Sequence, residues 1–164
     1  MASWIGIQIA VDSCMSHGTV VLVGSLPIER LLLDCLASEF GWSFQKVDDL
    51  QNSPNLNPLD DAVAVLFSPS SLGLPWDEAL RSVLNAFPRA FPILCHGFAD
   101  DIDWHEVADA GAFHSLPMPF SVAEVRQSLG FVWGAKQSSK LERSRTAAKE
   151  RVPLAGVVAT GLVA

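Results

Sequence analysis

The 164-residue sequence predicts an α/β domain: a doubly wound, five-stranded parallel sheet with helices on both faces. Three observations predict it. Five short apolar runs of strand character alternate with segments whose apolar residues recur at helical spacing. The first run, TVVLVG (19–24), is apolar without interruption, as in a strand buried on both faces. Glycine, proline, serine and aspartate punctuate the junctions between segments.

Each element has its own signal. TVVLVG ends at GSLP, where Ser25 is placed to cap a helix and Pro27 suits its first turn. In that helix Ile28, Leu31, Leu32, Cys35, Leu36 and Phe40 form one stripe, and Gly41 stops it. WSFQKV (42–47) alternates and reads as the second strand. DDLQNSPNLNPLDD follows, with two prolines, three asparagines and no helical stripe. It reads as a loop with one short turn at most, so the second helix of the alternation is reduced or missing.

AVAVLFS (62–68) is the third strand and SPSSLGLP a loop. Trp76, Leu80, Val83, Leu84 and Phe87 then mark a helix that Pro88 ends. FPILCHG (91–97) is the fourth strand. A short helix starts near Asp101 or Asp103, with acidic residues in its first turn, and Gly111 closes it. FHSLPM (113–118) is the fifth strand. In the last helix, SVAEVRQSLGFVWGAK, Ser121 and Glu124 form a capping box. Val122, Val125, Leu129, Val132 and Trp133 make its buried stripe.

The domain therefore spans residues 19–134. Residues 1–18 are an N-terminal extension without a signal-peptide pattern, and Met15 is a candidate start residue. Residues 135–164 are a polar, basic, linker-like tail: six basic residues against two acidic ones give +4. Since the whole chain carries −7, residues 1–134 carry −11. A body this acidic repels nucleic acid and anionic membrane, so only the tail could attract either, and weakly. The three cysteines, Cys14, Cys35 and Cys95, fit no metal-ligand spacing. Two of them lie in apolar segments, which favours a reducing, cytoplasmic setting. No apolar run reaches the ~20 residues that span a bilayer.

The sequence DAGAFHSLPMPFSVAEV carries a specific resemblance. Ala110-Gly111-Ala112, the strand, Pro119-Phe120 and the capped last helix resemble the receiver domain of bacterial response regulators, over essentially all of residues 19–134. The resemblance implies strand order 2-1-3-4-5, a site at the carboxyl ends of the strands and a cis Met118–Pro119 bond. It also implies phosphoryl transfer to an aspartate with magnesium. The positions that would build that site hold other residues. Gly24 and Ser25 stand where an acidic pair would hold the metal, and Phe67, followed by Ser68, where the nucleophilic aspartate belongs. Gly97 replaces the hydroxyl residue after strand four, Ser115 the aromatic switch and Met118 the lysine. The chain thus resembles a degenerate receiver, or pseudo-receiver. Its cleft is expected to have no carboxylate or ammonium group to grip a divalent ion and an acylphosphate.

The other candidates are weaker. His96, with Asp100 and Asp101 downstream, reads as a polar rim without metal-ligand spacing. Ser68, Ser70 and Ser71 beside Pro69 read as turn chemistry. Trp76 is expected to pack against its neighbouring loop. Trp104 is the better interface candidate, with His105 and His114 beside it, because receivers use the face of helix four, strand five and helix five for contacts.

The expectation is a module of two-component signal transduction that is not an enzyme. It would bind a protein partner, or itself, through that face, without a cofactor, metal or phosphorylation. The alternatives are a phosphorelay response regulator with an atypical site, and a small-ligand sensor using a cleft lined by Gly24, Ser25, Phe67, Gly97 and Met118.

Overall fold

The computed structural model describes residues 18–50, 62–97, 100 and 102–150. In chain order these form β1 (Gly18–Val23), α1 (Arg30–Phe40), β2 (Trp42–Val47), β3 (Ala62–Phe67), α2 (Pro69–Leu72) and α3 (Trp76–Ala86). Then come β4 (Phe91–Gly97), α4 (Trp104–Asp109), β5 (His114–Met118) and α5 (Val122–Glu150). The sheet order is β2-β1-β3-β4-β5 and every pairing is parallel. The expected N-terminal extension up to residue 17, the helix-poor segment 51–61 and the last residues of the tail lie outside the described residues.

Alternation along β1 divides the core in two. Val20 and Leu22 point to one face, with Leu32 and Leu36 of α1 and Val125, Leu129 and Val132 of α5. Val21 and Val23 point to the other, with Ala79, Leu80 and Val83 of α3 and Val107 of α4. A strand with helices on both sides must be apolar at every position, and all six residues of β3 are buried.

Several local expectations gave way to packing. Ser25 does not cap α1. That helix starts at Arg30, with Glu29 in the extended cap position and no side-chain cap bond. Leu26 and Ile28 instead pack against the α1/α5-side core, and this anchoring outweighs the hydroxyl cap. Leu31 and Val122, assigned to buried stripes, are exposed. Cys35 is half-buried, its Sγ 3.3 Å from Oε1 of Glu39. The segment after β3 is no mere loop: Pro69 opens a single helical turn, α2, and Gly73 closes it at φ 65°.

At α5 the expected cap forms, with the Ser121 hydroxyl accepting from the Glu124 N–H at 3.2 Å and donating to its carboxylate at 2.8 Å. The helix does not end with the domain. It runs unbroken through residue 150, so the first part of the expected linker is helix. Serine and threonine side chains along it bond to carbonyls four residues back, at Ser138, Ser139, Ser144 and Thr146. The Met118–Pro119 bond is cis.

Candidate functional site

The carboxyl ends of β1, β3, β4 and β5 bring the sequence-predicted positions, Ser115 apart, to one rim. Gly24 follows β1 and its N–H donates to the Val47 carbonyl at 2.8 Å. Its φ of 78° suits glycine, and an added Cβ would stand 2.7 Å from Oγ of Ser71. Helix α2 therefore folds back against the end of β1 and fills the space where a side chain at position 24 would project. Ser25 is exposed.

Phe67 ends β3 with no solvent exposure and belongs to the α3/α4-side core. Ser68 is also buried, but its polar groups are matched. Its hydroxyl pairs with that of Ser70 at 2.8 Å, and its carbonyl accepts from Oγ of Ser71 at 2.9 Å. These three serines serve the turn that starts α2, as their spacing around Pro69 implied.

On the other side of the rim, Gly97 pairs in register with Met118, whereas Ser115, near the start of β5, pairs with Leu94 in the middle of β4, away from the rim. Met118 packs against the α1/α5-side core and Ser115 is half-buried. One carboxylate lies near this rim, at Asp100. After Gly97 the chain turns back, the Asp100 N–H bonding to the Gly97 carbonyl at 3.2 Å. That turn sets Oδ2 of Asp100 2.6 Å from the Gly97 N–H, cross-strand from Met118. Asp100, assigned to a loop rim from the sequence, is exposed there, with its carboxylate taken up by that backbone bond. Nδ1 of His96 lies 3.1 Å from the Gly97 carbonyl, so the ring is engaged with the backbone. Asp101 lies outside the described residues. Among the described residues no three histidine, cysteine or acidic side chains converge as a metal site.

The second assembly lies along the edge of the sheet. β5 is the last strand, with α4 and α5 flanking it on opposite faces. Trp104, at the start of α4, meets the His114 ring edge-on at 6.3 Å. Phe131, from α5, meets the same ring at 5.9 Å, again nearly perpendicular. Trp104 is 37% exposed and Phe131 52% exposed. An aromatic strip thus wraps the β5 edge. Burial lowers the His114 pKa below the usual imidazole value, because the charged ring is less well solvated there. His105 is exposed on α4 and its N–H is capped by the Asp103 carboxylate at 2.8 Å. Trp76, by contrast, packs against the α3/α4-side core. Phe131 was missed from sequence. It falls between the buried positions Leu129 and Val132, and a helical wheel would have placed it on a different face from theirs.

A groove of about 280 Å³ lies elsewhere, between α1 and the start of α5. Pro27, Leu31, Leu32, Pro119, Phe120 and Val122 line it, with Glu29 at its edge. None of the residues expected to line a ligand cleft takes part in it.

No protein-family model and no curated protein matches the sequence. Solved structures match at low identity. A Rhodopirellula baltica structure described as adenylate cyclase has a TM-score of 0.61 at 13% identity, covering 82% of this chain and 98% of that one. NtrX from Brucella abortus, in complex with ATP, has a TM-score of 0.61 at 16% identity. The match covers 86% of this chain but only 31% of NtrX. The receiver domain of a sensor histidine kinase from Pseudomonas aeruginosa, with magnesium in its active-site cleft, has a TM-score of 0.53 at 21% identity. That match covers 71% of this chain and 98% of the receiver. Similarity at these identities is similarity of fold. With sheet order 2-1-3-4-5, helices on both faces and these neighbours, the fold of this chain is that of the response-regulator receiver domain.

Proposed function

We propose that this chain is a signalling module of receiver fold that acts by protein contact and has no aspartyl-phosphate switch. The observation that carries this reading is Phe67, a fully buried aromatic ring at the position where a receiver exposes its nucleophile. Phosphoryl transfer to a carboxylate needs a nucleophile within reach of solvent, oxygen ligands for a hard cation and a counter-charge for the phosphoryl oxygens. At the corresponding positions this chain has Phe67, Gly24 with Ser25, and Met118. Asp100 is a single carboxylate already bonded to the backbone, and it sits on the β4 side of the rim. The filling of the rim by α2 argues equally against a small-ligand pocket there.

The contact surface in this reading is the Trp104–His114–Phe131 strip. Exposed aromatic side chains held in place by their neighbours make good interface anchors, since little rotamer freedom remains to be lost.

Incubation with labelled acetyl phosphate and magnesium is expected to leave the chain unlabelled. Stoichiometric, hydroxylamine-sensitive labelling would sink the proposal. For the contact surface, Trp104→Ala should weaken binding of a captured partner by about 2 kcal/mol or more while leaving the circular dichroism unchanged. Unaltered affinity would remove this strip from the role.

A further inference from the structure

We infer that the groove between α1 and the start of α5 is the seat of this chain's own N-terminal segment WIGIQIAV, residues 4–11. The inference goes beyond the proposed function, because the groove shares no residue with the Trp104–His114–Phe131 strip.

The groove combines a cavity of about 280 Å³ with apolar side chains left in water on both of its walls. Leu31 of α1 is 78% exposed and Val122 of α5 38% exposed. Both recur at the helical spacing of their buried neighbours, so each helix offers an apolar side chain that none of the described residues covers. Single exposed apolar residues are ordinary, but these two flank one depression, with exposed Pro27 and Pro119 beside them and buried Leu32 in its lining. Glu29 is the one charged residue in that lining.

Charge and reach identify the occupant. An acidic partner is disfavoured by a body of −11 and by Glu29. Residues 1–11 carry no charged side chain, and the first one is Asp12. Within them Ile5, Ile7, Ile9 and Val11 alternate with Trp4, Gly6, Gln8 and Ala10, which gives an extended chain one wholly β-branched side to lay into an apolar groove. The segment lies outside the described residues, but its attachment point is fixed at Gly18, the first residue of β1. The groove begins at Pro27, just beyond the other end of β1, about 20 Å away along that strand. The seven residues from 11 to 18 reach about 23–25 Å, which is enough. The apolar C-terminal residues are much less well placed. Val122 lines the groove, and α5 carries Glu150 about 42 Å away from it. Residues 151–164 extend about 50 Å at most, so only the last of them could return. The short N-terminal tether also holds residues 4–11 at an effective concentration on the order of 1 mM, so modest contacts suffice to keep the groove filled. A partner approaching the α1/α5 side must then displace this segment first.

The test is methyl NMR of the full chain, with nuclear Overhauser contacts read between Ile5, Ile7 or Ile9 and Leu32, which lines the groove. Wild type should show them. They should be lost in I7D/I9D, which changes the segment, and equally in L31D/V122D, which changes only exposed positions of the groove. Circular dichroism of both variants should stay native. Wild type without such contacts would overturn the inference, as would contacts that survive both pairs of substitutions. So would contacts from the isoleucines to the edge strand β2 instead, or contacts that appear only between differently labelled copies in a mixed sample, which would make a second copy the occupant. Trp104 is intact in both variants, so partner binding through the aromatic strip is read separately.

Discussion

Over the ends of β1 and β3 the molecule is closed. Gly24 has no side chain, Ser71 fills the gap it leaves, and Phe67 is wholly inside. Along the β5 edge it is open, with Trp104 and Phe131 holding large apolar surfaces in water on either side of His114. In a working receiver the polarity would run the other way at the first place, with carboxylates in water around an ion. The difference teaches that the fold does not depend on its chemistry. The rim holds apolar and hydroxyl groups under the same sheet order as the structural neighbours, because the sheet is held by the two cores beneath. The edge lies outside both cores, so nothing in folding compels aromatic residues there.

The comparison breaks most readily at Phe67. Phe67→Asp would supply the nucleophile that the proposed reading finds missing, yet it also removes a core ring and buries a carboxylate. It should cost about 3–5 kcal/mol or more in urea unfolding. It should also leave the chain unlabelled by acetyl phosphate, since the acidic pair and the lysine are still missing. A variant as stable as wild type would mean the rim is not closed.

A smaller effect is expected at Gly24. Gly24→Ala meets both a φ of 78° and the Ser71 hydroxyl, and should lose about 1–3 kcal/mol. Combining it with Ser71→Gly should recover the steric part but not the backbone part, which a double-mutant cycle separates. Equal losses in the single and double variants would show that α2 does not plug the rim.

The smallest effect sharpens the open side. His114 has a folded-state pKa below its ordinary 6.5, so the unfolded chain binds more protons as the medium turns acidic. Its contribution is fully present above the unfolded value. It is lost as pH falls from about 6.5 through the lower folded value. Melting temperature measured between pH 7.5 and pH 5 should show a downward slope that His114→Gln reduces. An identical slope in the variant would mean the ring is not desolvated between its aromatic neighbours.

Much of this architecture was legible because it rests on local patterns. The uninterrupted apolar run of β1 required cover on both faces, and the structure supplies it. The Ser121–Glu124 cap marks the start of α5 as read. The failures came where distant groups compete with a local signal. Ser25 is a good cap by type, but Leu26 and Ile28 are drawn into the core and the helix begins later. Leu31 repeats at helical spacing, yet no neighbour among the described residues covers it. Asp100 looked like a loop residue, because a turn that points a carboxylate at a backbone N–H leaves no mark on periodicity.

The sequence by itself determined the strands, their burial and the residues that stand at their carboxyl ends, Gly24, Phe67, Gly97 and Met118 among them. Those follow from residue type and spacing, which act over a few residues. Only the tertiary structure decided that Ser71 closes the rim over Gly24, that the Asp100 carboxylate accepts from the Gly97 N–H, and that Trp104 and Phe131 meet across His114. Each of these joins segments that only the packed sheet brings together, and no one-dimensional pattern encodes a contact between them.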